Sequence, residues 1–371
     1  AALVNYVQIA AFVATLTLAW FLLIMFRGNS AVGWRRQLGL LLLVPAVTLL
    51  ASAVLLVPLA EALPYLNRTK LTPDEAGIFS LPWASLLTAL IPTYGGEPEQ
   101  LIYLGLPAAL LAVLGIVLKR DRYAWFLAIV ALLAALFALG IHGPLFPLLV
   151  RLVPGLSWLR VPPRAWVLVA FSLALLAGRG LDSLSRPHFS PAARRQVTLI
   201  GLVALVVELT LAAGLLFLYQ PPPPAVWAMA ALVVLTVATL VLRTRTALRP
   251  GPFTITILLL VTADLALVRV AWTEMRAPDA VFAWGAETAA YLAELPGRFR
   301  SYSPSYSLPQ HTAIQHDLDL ADGIDPIQLA HYADFLASAG GYEATGYSPT
   351  LPPILDDASA QPDAIRLGLL N

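Results

Sequence analysis

Two arginines and a tryptophan occur together in a short proline-rich segment, Trp158–Arg164 (WLRVPPR). Arg160 and Arg164 are four residues apart, and the two prolines between them stiffen the chain. A guanidinium group can bind phosphate through two parallel hydrogen bonds, so this pair, next to Trp158, suits an anionic group such as a lipid phosphate. Because Trp and Arg also anchor proteins at membrane interfaces, an interfacial anchor is the simpler interpretation of the same residues.

Two carboxylates lie in the middle of long apolar runs. These are Glu208 and Asp264. Charges within apolar spans are costly and usually functional, which indicates a proton or ion relay or a polar patch facing a substrate cavity. The alternative is structural pairing, because Arg269 lies five residues beyond Asp264 and Ser and Thr are plentiful. Glu61, at the end of another run, is the third candidate cavity acid.

The remaining acidic residues give weaker signals. Asp74, Glu75, Glu97 and Glu99 are of the type that supplies a general base or metal ligands, although solvated charge is more common in loops. Residues 317–325 (DLDLADGID) superficially resemble a calcium loop but lack its spacing and its closing Glu, which favours a turn rich in Asp and Gly. We identify no cofactor motif, and no ligand set supports a divalent metal.

The composition is that of a membrane protein. Of 371 residues, 59% are hydrophobic and 12% are charged, whereas a soluble domain carries about 25% charged residues. The absence of Cys excludes disulfides, thiolate metal sites and cysteine nucleophiles. Lys and Arg (23) nearly balance Asp and Glu (22), and no basic-aromatic patch occurs. We therefore expect the lipid bilayer, and no nucleic acid, as a partner.

The apolar runs predict an all-α polytopic membrane domain over residues 1–272. A helix that crosses about 30 Å of hydrocarbon needs about 20 mostly apolar residues. About eight runs approach or meet this length: 5–26, 38–62, 101–118, 124–140, 165–181, 197–219, 224–242 and 253–272. A long loop over 63–100 contains a semi-apolar stretch, 78–91, that is too short to span and is typical of an interfacial or re-entrant helix.

The basic residues between the runs predict the orientation. Thirteen Lys and Arg fall on one side of the predicted bundle and five (Arg68, Lys70, Arg151, Arg160 and Arg164) on the other. Because cytoplasmic loops are enriched in Lys and Arg, the side with thirteen is predicted to be cytoplasmic. The loop 63–100, the WLRVPPR segment and everything after residue 272 are then extracytoplasmic.

Residues 273–371 have a different character. From residue 274 onward the chain holds 13 acidic and four basic residues, many Tyr, Ser, Pro and Gly, and no run that could span a bilayer. We predict the start of an extracytoplasmic soluble α+β domain, incomplete at residue 371. Within it, 284–295 and 326–340 are predicted to be helical, and 298–307 (RFRSYSPSYS) to be extended.

Several ordered segments resemble the bacterial YfhO-like membrane protein family. Residues 153–164 (VPGLSWLRVPPR), followed by 173–184 (LALLAGRGLDSL), resemble its arginine-proline signature. Residues 80–105 and 322–332 (DGIDPIQLAHY) resemble two further elements, and 367–371 (LGLLN) resembles the start of a strand. The resemblance covers most of the chain, which is expected to be a fragment truncated at both ends.

The resemblance implies a function and a location. YfhO-like proteins are similar to GT-C glycosyltransferases, multi-pass proteins of the bacterial cytoplasmic membrane. These transfer a sugar from a polyprenyl-phosphate donor on the outer face to cell-surface polymers such as teichoic acids. In these enzymes a catalytic or metal-binding carboxylate usually lies in the first outer loop. That loop is expected upstream of Ala1, so the catalytic residues of this chain stay unknown. Arg160 and Arg164 match the arginines of the family signature, and the Tyr-rich outer domain is expected to hold the acceptor glycan.

Two other functions stay open. Glu208 and Asp264 favour a lipid or glycolipid transporter or flippase, in which intramembrane acids would couple transport to protons or ions. A non-catalytic membrane scaffold that binds envelope polymers is the third alternative. Without the resemblance, the residues themselves support only a polytopic protein with a soluble outer domain.

Overall fold

The computed structural model describes residues 2–25, 33–67, 71–91, 97–218, 224–245, 247–272, 275–343, 347–352 and 361–370. Arg68, Lys70 and residues 92–96, which belong to the predicted loop 63–100, lie outside these ranges. The helices are α1 (Ala2–Met25), α2 (Trp34–Ala62), α3 (Pro73–Ala76), α4 (Leu106–Leu118), α5 (Arg122–Ala138), α6 (Leu145–Leu152), α7 (Trp166–Leu184), α8 (Pro191–Leu218), α9 (Pro224–Thr244), α10 (Pro250–Trp272), α11 (Pro278–Phe282), α12 (Ala286–Ala293), α13 (Gln310–Gln315), α14 (Ala330–Gly340) and α15 (Ala364–Gly368). The strands are β1 (Arg300–Ser301), β2 (Asp319–Leu320), β3 (Gly323–Ile324) and β4 (Thr350–Leu351).

The mostly helical, membrane-type architecture is confirmed. Each of the eight predicted runs contains a helix, and six helices in the described part of the chain are long and apolar enough to cross a membrane: α1, α2, α7, α8, α9 and α10. The helices α4 and α5 are apolar but shorter, with 13 and 17 residues. The semi-apolar stretch 78–91 forms a 3-10 helix over Trp83–Ala89 and no longer helix.

The start of α4 differs from the predicted run 101–118 because of Gly105. This glycine has φ +90°, a conformation that ends any helix approaching from its N-terminal side, and Pro107 then occupies the first turn of α4. Residues 101–105 form no regular secondary structure and contribute the buried side chains of Ile102 and Tyr103. After the end of α4, the Asp121 side chain accepts a hydrogen bond from Ala124 N (2.9 Å) and so caps the start of α5.

Contacts divide the chain into two compact units. One comprises Ala76–Glu274, and the other joins Ala1–Glu75 with Met275–Asn371. The contacts thus group the first 75 residues with the C-terminal part. Hydrogen bonds join the two segments of this unit: Asn67 N donates to Gln328 O (3.1 Å), and Tyr347 N donates to Glu75 Oε1 (2.6 Å).

The core of the Ala76–Glu274 unit forms where α4 packs against α7. The two helices are parallel, since Trp166 Nε1 donates to Ile102 O at their beginnings and Lys119 pairs with Asp182 at their ends. Gly115 and Gly180 lie at the crossing, where an added Cβ on either would overlap a backbone oxygen of the other helix. Small residues permit this close backbone approach. Asp121 and Arg179 form an ion pair that joins the start of α5 to the end of α7.

The C-terminal part contains short helices and two small sheets. β1 pairs with β2 in parallel, and β3 pairs with β4 in antiparallel. The predicted helices appear as α12 and α14, whereas the predicted extended segment 298–307 forms a strand only at β1. The predicted strand at 367–371 is wrong for Leu367, which lies in α15, because Asp363 caps that helix by accepting from Ile365 N and Arg366 N.

Candidate functional site

Loops and short helices, α6 among them, close one end of the α4, α5 and α7 group, and we call them the cap (77–91, 97–105 and 139–165). Leu81 N donates to Ala138 O (3.2 Å), and Ile141 N donates to the Ser80 hydroxyl (3.0 Å). The indole of Trp83 donates to His142 O (3.0 Å). Leu81, Ile102 and Leu139 form a buried apolar cluster beneath these hydrogen bonds. The cap is therefore a packed structure that can hold side chains in place.

The arginine segment is fixed within the cap by its backbone. Val161 has φ +62°, which is rare for a β-branched residue and persists only where the surroundings enforce it. Its N–H donates to Ala76 O (3.1 Å), and the following Pro162 and Pro163 are buried. The Arg160 and Arg164 side chains therefore leave a rigid backbone, as the two prolines predict.

Arg164 forms a two-point ion pair with Glu99. Nη2 lies 2.6 Å from Oε1, and Nε lies 3.3 Å from Oε2. The Arg164 side chain is 21% exposed and that of Glu99 34%, so the pair is accessible from solvent. The Pro98–Gln100 turn carries the Glu99 carboxylate to an arginine 65 residues away, so this loop charge is paired as well as partly exposed.

Arg160 and Trp158 occupy different environments. Arg160 is 8% exposed and is held by interactions within the protein. Trp158 is 43% exposed and follows Gly155, whose φ of +81° starts the turn that contains the indole. Of the three predicted phosphate-binding residues, Arg164 and Trp158 thus have accessible side chains, while Arg160 belongs to the interior of the cap.

Asp264 of α10 caps α4. Its Oδ2 accepts from Leu106 N (2.9 Å), and its Oδ1 accepts from the Tyr103 hydroxyl (2.7 Å). The Asp264 carboxylate is 2% exposed. Among the described residues, Asp264 bonds to Leu106 and Tyr103 and not to Arg269, whose side chain is exposed. Asp264 therefore has a structural partner, but a different one from the arginine that the spacing suggests.

Glu208 of α8 is buried without a hydrogen-bond donor for Oε1 among the described residues. It lines a small cavity, large enough for about one water molecule, together with Ile91, Val226 and Met229. Ile91 and Met229 of this cavity also pack against Tyr103, whose hydroxyl donates to Asp264. Glu208 and Asp264 therefore border the same apolar cluster. Glu61, the third predicted cavity acid, is exposed near the end of α2.

The four aspartates of 317–325 have separate roles. Asp317 has φ +53° in a turn, and Asp319 pairs with Arg298 at 3.4 Å. Asp325 Oδ1 accepts from Ile327 N (2.8 Å), and Asp322 Oδ1 accepts from Ser303 N (2.8 Å). Within the described ranges, no group of three or more His, Asp or Glu side chains could hold a metal ion.

Asp322 is the functional candidate that sequence reasoning missed. It is 7% exposed, and its Oδ2 has no hydrogen-bond donor in the part of the chain that the structure describes. Burial raises the pKa of its carboxyl above the ordinary value, and the hydrogen bond from Ser303 N partly offsets this. Burial, together with the charge of Asp322, raises the pKa of Tyr302 to about 12.

Asp322 also lines a cleft of about 450 Å³ in the C-terminal part. The cleft lies beside β3 and the first turn of α14, and its polar lining includes Gln310, Asp325, Gln328 and Tyr332. The sequence hints at this cleft only in that RFRSYSPSYS and the aspartate-rich segment 317–325 lie close together in the chain. This proximity does not indicate which of the four aspartates is buried, because burial depends on how β1 and β2 pair.

Comparison with protein-family models, with curated proteins and with solved structures finds no match for this chain in any of the three.

Proposed function

We propose that the protein is a membrane glycosyltransferase that takes a sugar from a polyprenyl-phosphate donor and transfers it to a cell-surface polymer. The observation that carries the proposal is the rigid cap with the accessible Arg164–Glu99 pair and the exposed Trp158. The cap lies at one end of a group of apolar helices, where a ligand with an apolar tail and a charged head has to bind.

The chemistry needs positive charge at the departing phosphate. As the sugar is transferred, the anomeric C–O bond to the phosphate breaks and the phosphate leaves with the electron pair. The acceptor oxygen forms the new bond and gives its proton to a base. A positioned guanidinium stabilises the charge that develops on the phosphate, and this lowers the barrier. Arg164 is suited to that role because it already binds a carboxylate through two of its nitrogens.

No described residue of this chain is assigned as the base. The end of the helices that carries the cap is proposed to face outward, because the opposite ends hold the excess of Lys and Arg. The location that follows is a bacterial cytoplasmic membrane, with the C-terminal part on the extracytoplasmic side.

The proposal is tested by donor binding. The full chain, reconstituted in nanodiscs, is titrated with undecaprenyl phosphate. We expect Arg164→Gln to weaken binding about tenfold, because a charge-assisted two-point contact is lost. Arg151→Gln is the matched control, since Arg151 is an exposed arginine of the neighbouring α6. Equal affinity of the Arg164→Gln variant and the unmodified protein would overturn the proposal.

Glu208 supports a second candidate function, a lipid transporter coupled to protons. A buried carboxylate without a donor beside a small cavity is typical of an intramembrane proton site. In liposomes, this function predicts that translocation of a labelled lipid depends on a proton gradient and is abolished in Glu208→Gln. The Glu61→Gln variant, in which an exposed acid is changed, serves as control. Translocation that does not depend on the proton gradient would exclude proton-coupled lipid transport.

A further inference from the structure

The cleft beside β3 combines a suitable size with unused hydrogen-bonding capacity. Its volume of about 450 Å³ lies within the range of about 300–1,000 Å³ that is common for small-molecule sites. Its wall alternates polar groups with aliphatic side chains such as Ile324, Ile327 and Leu351. A ligand with both hydroxyl groups and apolar C–H faces would match such a wall.

Most of the polar lining is held in place by the protein. The Gln328 amide donates to Ser348 O (2.9 Å) and accepts from Asn67 Nδ2 (2.5 Å). The Tyr332 hydroxyl donates to Ala321 O, and Asp325 Oδ1 accepts from Ile327 N. These bonds fix the shape of the cleft before a ligand arrives, which reduces the entropic cost of binding.

Two polar side chains of the cleft retain capacity for a ligand. Asp322 Oδ2 accepts no hydrogen bond from the described residues, although the residue is more than nine-tenths buried. The Gln310 amide packs against Gly323, and no described residue forms a hydrogen bond with its side chain. A buried carboxylate oxygen without a donor is costly. Asp322 Oδ2 is enclosed in the free protein, so a ligand hydroxyl reaches it only when the side chain turns toward the cleft, and the new hydrogen bond would then offset that cost.

The charge of the cleft restricts the ligand. Its described lining includes two carboxylates, Asp322 and Asp325, and no Lys, Arg or His. Because like charges repel strongly where solvent is partly excluded, phosphate- or carboxylate-bearing polymers are disfavoured. A neutral molecule rich in hydroxyl groups is favoured.

We propose that this cleft binds a neutral saccharide, with Asp322 and Gln310 as its principal hydrogen-bonding residues. Binding itself does not depend on the glycosyltransferase proposal. The further step, that the saccharide is the acceptor unit, does rest on the proposed function and restricts the acceptor to a polymer with neutral sugars at this position.

The test measures saccharide binding by the full chain in nanodiscs, with saturation-transfer NMR and calorimetry. The neutral probes are maltotriose and chitotriose, and the anionic probe is a hyaluronan tetrasaccharide. We expect at least one neutral probe to bind with a Kd on the order of 1 mM or tighter, and the anionic probe to bind at least tenfold more weakly. Failure of both neutral probes to bind, or stronger binding of the anionic probe, would overturn the proposal.

Two variants locate the site. Asp322→Asn and Gln310→Leu are each expected to weaken neutral-probe binding about tenfold, because each removes a partner for a sugar hydroxyl. Gln310→Leu guards against misfolding, since no described residue depends on the Gln310 amide. The control is Gln315→Leu, an exposed glutamine on the same helix, α13, that does not line the cleft. Unchanged affinity in both cleft variants would refute the assignment.

Donor binding separates this proposal from the proposed function. Arg164→Gln is expected to leave saccharide binding unchanged, because that residue belongs to the other compact unit. If Arg164→Gln leaves undecaprenyl phosphate binding unchanged while saccharide still binds, the glycosyltransferase proposal is overturned and the cleft assignment stands. If saccharide does not bind while Arg164→Gln weakens undecaprenyl phosphate binding, the cleft assignment is overturned and the glycosyltransferase proposal stands.

Discussion

Asp264 accepts the backbone N–H of Leu106, the first residue of α4, at 2.9 Å. One apolar helix thus provides the N-terminal cap of another, in a position where Gly105 cannot supply a side chain of its own. The Tyr103 hydroxyl completes the arrangement by donating to the second oxygen of Asp264. A carboxylate that sequence patterns assign to transport chemistry therefore also has a structural role.

Replacing Asp264 with Ala is expected to destabilise the Ala76–Glu274 unit by about 2–4 kcal/mol. The substitution leaves Leu106 N–H and the Tyr103 hydroxyl without partners in a buried setting. Thermal unfolding in detergent measures the effect. Asp182→Ala, which removes an exposed pair with Lys119, is expected to cause little change. If Asp264→Ala is as stable as the unmodified protein, the hydrogen bonds that Asp264 accepts at the start of α4 are dispensable.

Gly180→Ala is expected to loosen the α4–α7 crossing. An added Cβ would overlap Leu111 O, so the two helices would have to separate and lose packing. Gly178→Ala on the same helix is the control, because no described atom lies within 4 Å of its added Cβ. There, higher helix propensity predicts a gain of up to about 1 kcal/mol. The two alanine variants should therefore shift the melting temperature in opposite directions, and equal shifts would contradict the close approach.

Glu99→Gln is expected to strengthen binding of undecaprenyl phosphate several-fold. The Glu99 carboxylate occupies the Arg164 guanidinium in the free protein, so phosphate has to compete with it. The measurement is the nanodisc titration, and Glu97→Gln, which alters an exposed neighbour, is the control. Weaker binding in Glu99→Gln would instead show that the ion pair holds Arg164 in its binding position.

Asp322 is expected to make the stability of the C-terminal part depend on pH. Because burial raises the pKa of its carboxyl in the folded protein, the folded state binds the proton more tightly than the unfolded state. The contribution of Asp322 to stability is then largest below the ordinary aspartate pKa of about 3.9 and is lost as pH rises through the raised value. Hydrogen exchange over residues 300–325 follows this decline.

Asp322→Asn is expected to remove that decline and to increase protection at neutral pH. The amide keeps an acceptor for Ser303 N and carries no charge to bury. The variant would thus be more stable and yet bind saccharide more weakly, as is common where a buried polar group serves function. Exchange in Asp322→Asn that retains the pH dependence of the unmodified protein would exclude Asp322 as its source.

The accuracy of the sequence predictions varies with the range of the interactions. The eight apolar runs all contain helices, since hydrophobicity over about 20 residues is a local property. The predicted run 101–118 starts before the helix does, because the conformation of Gly105 and the distant Asp264 decide where α4 begins. The resemblance and the functions derived from it stay predictions, as do the orientation and the extracytoplasmic location.

The site residues divide along the same line. Arg164 and Trp158 could be proposed from a seven-residue pattern, because residue type and spacing suffice to indicate a phosphate ligand. The partner of Arg164 could not be predicted, since Glu99 lies 65 residues away in the sequence and no spacing rule joins the two. Likewise, four aspartates in 317–325 are equivalent in sequence until the pairing of β1 with β2 buries Asp322.

The sequence by itself determined that this is a helical membrane-type protein, where its apolar helices lie and which arginine segment is stiffened by proline. Tertiary structure decided which charges are buried, which are paired and which keep an unused oxygen. The physical reason is that hydrophobic burial is set by local composition. The desolvation of a charge and its compensation by a hydrogen bond depend instead on groups brought together from distant parts of the chain.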